Sequence, residues 1–151
     1  MIFKGPMIIV KDIEKSKKFY KYVLKQTIEL DLETYIMWNG GLSMMSEKEW
    51  KNQHNVQVKY KNNNFELYFE VEDIDKFIDF IDNDINIKYF QKKMEAPWGQ
   101  NSLKIYDLDE NIIEIGESLE SVVKRYFSQG MSLDEVVNKT MLSKEFVEKL
   151  K

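Results

Sequence analysis

The chain has 151 residues, 43% of them hydrophobic and 13% aromatic, which is enough to bury one core or two small fused modules and excludes a disordered protein. It has no cysteine, so disulfides and thiolate metal sites are excluded and a reducing compartment is suited. A net charge of -4 and a pI near 5.2 argue against nucleic-acid binding, because neutralising phosphates needs clustered positive charge.

In MIFKGPMIIVKD the apolar run is too short for a signal-peptide core, and no later run approaches a membrane span. A cytoplasmic protein that does not enter the membrane is expected. MIIV reads as a strand, followed by Asp12 at a helix N-cap position. Ile13, Ser16, Phe19, Tyr20, Val23 and Leu24 then fall on one helical face. Lys11, Lys15, Lys17, Lys18, Lys21 and Lys25 form its wet face, with Glu14 placed to pair with Lys18.

Three β-like runs come next: TIELDL, TYIMWNG and GLSMMS. From Glu47 to Asn64 the chain is polar, lacks periodicity and ends near KNNN, so it reads as a link, with His54, the one histidine, as a solvated loop residue.

The pattern then repeats. Val10–Phe19 and Val71–Phe80 share V-x-D-I-x-K-x-x-x-F, which marks two copies of one supersecondary unit. The second copy has the strand FELYFEV, a cap at Asp73 and a helix with Ile74, Phe77, Ile78 and Ile81 on one face. INIKYF, NSLKIYD and NIIEIG follow as strands. Each module therefore reads β-α-β-β-β, over residues of about 3–50 and 64–117. If Leu103 and Ile105 face the helices, Lys104 and Tyr106 face the other way, where Lys104 can pair with Glu114; with the opposite parity Lys104 is an ordinary exposed lysine.

Residues 118–151 read as a helical tail on an α+β body. Leu119, Val122, Val123, Tyr126 and Phe127 make an apolar stripe that Gly130 stops; Ser132 and Glu135 form a capping-box pattern, and Ser143 caps a third helix. Val137, Met141, Val147 and Leu150 lie at helix-turn-helix offsets, but SKEFVEKLK alternates acid with base and has no arginine, so no DNA binding is expected. The first tail helix can dock on the body, cover a sheet edge or close a cavity, and the hairpin behind it can extend a dimer contact; the spacing does not choose among these.

V-x-D-I-x-K-S-x-x-F-Y in the first copy and P-W-G…D-x-D-x-N-x-I-E in the second resemble the vicinal oxygen chelate superfamily of glyoxalase I, extradiol dioxygenases and bleomycin-resistance proteins. The resemblance covers about residues 3–117 and implies that the paired modules curl into a half-open cup holding a divalent metal or an organic ligand. Its ligand positions map to Gly5 and Glu66, where metal-binding members typically carry histidine, to Glu114 at the I-E position of the last strand, and to that position's counterpart within Gly41–Ser46. Strand alternation then adds Met7, Ile9, Tyr68, Glu70 and Ile112 to the cup face, with Leu67, Phe69, Val71, Ile113 and Ile115 under the helices. DLDEN replaces the family's usual D-P-D-G-N turn and puts Glu110 where glycine often takes positive φ, at a cost of about 1 kcal/mol.

The leading expectation is a bleomycin-resistance-like binding protein without cofactor, homodimeric, whose cup takes an aromatic or cationic compound. The expected ligand contacts are Trp98, Trp38, Tyr68, Glu66, Glu114, Tyr35 and Met44, with Met45 beside them. A metal-dependent lyase or isomerase of glyoxalase type, with Glu66 and Glu114 as the metal ligands, is the alternative. A ligand-responsive regulatory module acting through the helical tail is the third reading.

Overall fold

The computed structural model describes residues 1–61, 63–84 and 87–151. Two four-stranded mixed sheets repeat one topology, and the fold is α+β with tandem modules. The first module contains β1 (Met7–Val10), α1 (Ile13–Tyr22), β2 (Ile28–Asp31), β3 (Tyr35–Trp38), β4 (Ser43–Ser46) and α2 (Glu47–His54). The second contains β5 (Glu66–Val71), α3 (Ile74–Asp84), β6 (Tyr89–Glu95), β7 (Asn101–Tyr106) and β8 (Ile112–Glu117), and α4 (Leu119–Ser128), α5 (Leu133–Thr140) and α6 (Lys144–Glu148) follow. The strand orders are β1-β4-β3-β2 and β5-β8-β7-β6, with the first pair of each sheet parallel and the rest antiparallel.

The repeated motif produces repeated caps. The Asp12 carboxylate accepts the Lys15 amide at 3.0 Å, and Asp73 accepts the Lys76 amide at 3.0 Å. On α1 the pairing differs from expectation, for Glu14 meets Lys17 at 2.6 Å rather than Lys18, and Lys17 also reaches Asp31. The Glu47–Asn64 stretch differs more. Its first half is helix α2, capped by Ser46 on the Glu49 amide and tied by Glu47 to Lys51. The helix has no buried residue, so it lacks the apolar period that reveals helices, and S-x-x-E at Ser46–Glu49 is its one local signal. His54 lies in the last turn of this helix against Trp50, with ring centroids 4.1 Å apart, and is not a loop residue.

By contact the chain divides into two compact units. The first is Met1–Phe65 with the turn Asp107–Asn111; the second is Glu66–Tyr106 with Ile112–Lys151, so the helical tail counts with the second sheet. In the first unit Ile8, Val10, Ile36, Trp38 and Met44 from the sheet pack with Phe19, Tyr20, Val23 and Leu24 from α1 and its end. The turn folds on itself, with Asp107 accepting the Asp109 and Asn111 amides at 2.9 and 2.8 Å. It also accepts the Tyr20 hydroxyl at 3.0 Å, while Asp109 accepts the Lys11 amide at 3.1 Å. Glu110 does take a positive φ, 64°.

In the second unit Leu67, Leu103, Ile105, Ile113 and Ile115 are buried together with Ile74 and Ile81 of α3. The strand expected at INIKYF begins at Tyr89 and runs on through QKKME to Glu95; Ile85 and Asn86 lie outside the described residues. Lysines and exposed polar residues suit β6 because it is an edge strand, where charge discourages further pairing. The tail forms a small core of its own from Val122, Val123, Tyr126, Val136 and Val147. Its capping box at Ser132 and Glu135 and its cap at Ser143 form as the spacing implies. Met141, placed at a normally buried offset, is instead 83% exposed and left-handed at φ 60°. An α5 C-cap in that conformation favours glycine by about 1 kcal/mol. Met141→Gly is therefore expected to raise the melting temperature by about 2–4 °C, checked by thermal denaturation.

Candidate functional site

Register builds the site. In the second sheet β8 is central, and its partners place Tyr68, Glu114 and Lys104 side by side on one face. The adjacent rows are Glu66, Ile112 and Tyr106, and then Glu70, Gly116 and Ser102. Leu103 and Ile105 are fully buried on the opposite face, so of the two parities for β7 the one that turns Lys104 toward the carboxylates holds.

Lys104 reaches both acids. Its Nζ lies 2.5 Å from Glu66 Oε2 and 3.2 Å from Glu114 Oε2. Burial pulls the Lys104 pKa down, but its bonds to Glu66 and Glu114 outweigh this and leave it above the ordinary lysine value. The Lys104 hydrogen bond in turn holds Glu66 below the usual carboxylate range.

Tyr68 occupies the next position on β5, half-exposed, and donates its hydroxyl to Glu70 at 3.0 Å. Burial and that bond push its pKa up to about 12, so it stays a neutral donor. Its ring lies over Gly116, where an added Cβ would come within 2.6 Å of the Tyr68 hydroxyl. A side chain at Gly116 would therefore have to push the Tyr68 ring aside. Gln100 completes the group by donating to Tyr68 Oη at 2.8 Å and to the Glu117 carbonyl at 2.7 Å. Its own Oε1 accepts the Trp98 indole N–H at 3.1 Å. Trp98, in the β6–β7 loop, keeps 44% of its surface open.

The first unit has a cleft of about 430 Å³ whose lining includes Gly5, Met7, Glu29, Tyr35, Met37 and Ser43. Tyr35 donates to Ser43 Oγ across neighbouring strands at 2.9 Å. Trp38 and Met44 do not belong there, which corrects the expectation that both meet a ligand. Both have no exposed surface, and Trp38 stacks on Tyr20 at 5.9 Å in the core. Parity explains it, since Tyr35 and Trp38 are three residues apart on one strand and must point to opposite faces. Met45, not Met44, shares the Tyr35 face by register.

Of the expected contacts, the structure thus gathers Trp98, Tyr68, Glu66 and Glu114 on the second sheet and leaves Tyr35 on the first. Composition and spacing missed Gln100, whose one signal is its place directly after Pro-Trp-Gly, and Glu117, which holds the loop's other end.

The family model of the glyoxalase-like domain matches residues 3–120. The chain belongs to this family. It falls with it into the vicinal oxygen chelate superfamily, and solved structures agree. A protein of unknown function from Agrobacterium tumefaciens str. C58 aligns with a TM-score of 0.69 at 28% identity, over 79% of this chain and 95% of that one. A lactoylglutathione lyase from Agrobacterium tumefaciens shares the fold with a TM-score of 0.60 at 18% identity, over 78% and 93%. A glyoxalase/bleomycin resistance protein/dioxygenase from Nocardioides does so with 0.62 at 15%, over 80% and 85%. No curated protein matches the chain in sequence.

Some glyoxalase-like folds carry a divalent metal, and the donors here do not fit one. Glu66 and Glu114 bracket an ammonium that any cation would have to displace, and a hard cation needs more oxygens than two side chains supply. Among the described residues no group of three or more histidines, aspartates or glutamates is placed to hold an ion. In Lys104→Met the Glu66 carboxyl loses the bond that holds it low and faces Glu114 uncompensated. Its pKa is expected to rise to or above the ordinary 4.5, read by carboxyl NMR titration. In the unsubstituted protein the stabilisation from Glu66 is present above pH 4.5 and is lost as the pH falls through its lowered folded value.

Proposed function

We propose that this glyoxalase-like domain binds a small, flat organic cation on the open face of its second sheet. The observation that carries the reading is the charge balance beside exposed aromatic surface: Glu66, Glu70 and Glu114 against Lys104, next to half-open Trp98 and Tyr68. The polar atoms of both aromatics are already engaged, the Trp98 N–H by Gln100 and the Tyr68 O–H by Glu70. Their ring faces remain for stacking, and a ring face attracts cations. Lys104 is held by two acids and the Tyr68 hydroxyl by one oxygen of Glu70, leaving the second oxygens of Glu66, Glu70 and Glu114 to meet a ligand ammonium. Such a site sequesters a compound and needs no nucleophile. With this reading go a homodimer and a cytoplasmic location; no described helix is long and apolar enough to cross a membrane.

The test is titration with ethidium, a planar cation, against anionic anilinonaphthalene sulfonate, each followed by fluorescence. Ethidium is expected to bind and the anion not to. Trp98→Ala should weaken ethidium about 5- to 30-fold, the equivalent of one to two kcal/mol. Gly116→Ala, by displacing the Tyr68 ring, should act in the same direction. A preference for the anion, or a stoichiometric divalent metal in native mass spectra that a chelator removes, would overturn the reading.

A further inference from the structure

The tail holds the loop that carries Trp98. In the segment that leads from β6 into β7, side chains from β8, α4 and α5 hold Pro97, Gly99 and Asn101. Arg125 of α4 donates to the Gly99 carbonyl at 2.6 Å and forks onto Glu117, Nε to Oε1 at 3.0 Å and a terminal nitrogen to Oε2 at 2.8 Å. Glu117 in turn accepts the Asn101 amide at 3.3 Å and the Asn101 side chain at 3.0 Å. Lys139 of α5 donates to the Pro97 carbonyl at 3.3 Å. Tyr126 lies so close to Gly99 that an added Cβ would sit 2.0 Å from its hydroxyl, and Gly99 takes φ +87°.

Two residues of the binding face flank the gripped Gly99. On one side is Trp98 and on the other Gln100, which fastens the indole to Tyr68. A forked guanidinium on a carboxylate that is only 5% exposed fixes direction as well as distance. The tail can act as one body because it has its own apolar core. Arg125, Tyr126 and Lys139 all lie beyond the matched family segment, which ends at residue 120.

We infer that the tail is a clasp for the ligand site, in which Arg125 is the positioning residue that holds Trp98 and Gln100 in binding geometry. The inference rests on the proposed binding face. It makes ligand affinity and tail docking reciprocal: whatever loosens the clasp weakens binding, and bound ligand tightens the clasp by the same factor. The third of the expected functions, a ligand-responsive tail, thereby acquires named atoms.

Arg125→Gln in the full chain tests this, with E117Q/R125Q beside it so that no unpaired buried acid confuses loss of fold with loss of position. The readouts are the Trp98 indole N–H resonance, assigned through its loss in Trp98→Phe, the hydrogen exchange of the Gly99 and Asn101 amides, and ethidium affinity. The indole resonance is expected to move or broaden, exchange at both amides to quicken at least tenfold, and ethidium to weaken about tenfold. Lys139→Ala should do the same to a smaller degree, and Arg125→Lys should restore little because it lacks the fork. In the unsubstituted protein, saturating ethidium should slow exchange of the α4 amides by the factor that the Arg125 variants lose in affinity. An unchanged indole resonance and unchanged loop exchange in folded R125Q or E117Q/R125Q overturn the clasp. If ethidium fails to bind even the unsubstituted protein, the binding reading falls, and the indole and exchange data alone decide the clasp.

Discussion

Strand β8 carries Glu114 and Glu117, and three residues along a strand is an odd step, so the two carboxylates must leave it on opposite faces. Almost everything distinctive in the second unit follows from that constraint. Glu114 turns toward β7, where Lys104 stands directly across from it, and Glu117 turns toward Asn101 and the first tail helix. A slip of one residue in register would exchange these surroundings, stranding one acid among isoleucines and removing the other from its arginine. Register is in turn pinned by Leu103, Ile105, Ile113 and Ile115, which fill the core only in this alignment.

The two acids are satisfied differently. Glu66, Glu114 and Lys104 share a half-open face, so their attraction is partly screened and their value lies in setting the local field. The field is that of a carboxylate surplus with one fixed ammonium, in a fold whose relatives include a lactoylglutathione lyase. Glu117 is buried, and its cost of leaving water is met by a forked guanidinium and two bonds from Asn101. Burial pushes its pKa up, but those bonds outweigh it, so the carboxyl stays charged below the usual value. The geometry that settles this one buried charge also determines where the Pro97–Asn101 loop can lie.

Much of the fold was legible in the residues. The doubled V-x-D-I-x-K motif announced two like modules, and both aspartates cap their helices as such spacing requires. Helix α2 was not legible, because a helix with no buried residue has no apolar period to read. On the site, alternation puts Tyr68 on the same face as Glu66 within one strand, while Glu114, on another strand, was joined to them by the family resemblance. The same rule applied to Tyr35 and Trp38 would have separated them, and Trp38 shows what composition conceals: a tryptophan beside a candidate face is here a core residue stacked on Tyr20.

The sequence by itself determined the helical periods, the caps, the turn chemistry of Asp107–Asn111 and, within a regular strand, which residues share a face. These depend on neighbours a few residues apart, whose relative placement is set by backbone geometry. Only the tertiary structure decided that Lys104 stands between Glu66 and Glu114, that Gln100 ties Trp98 to Tyr68, and that Arg125 grips Gly99. Those partners meet through strand pairing and helix docking across long stretches of chain, and no local period records which strand lies beside which or in what register.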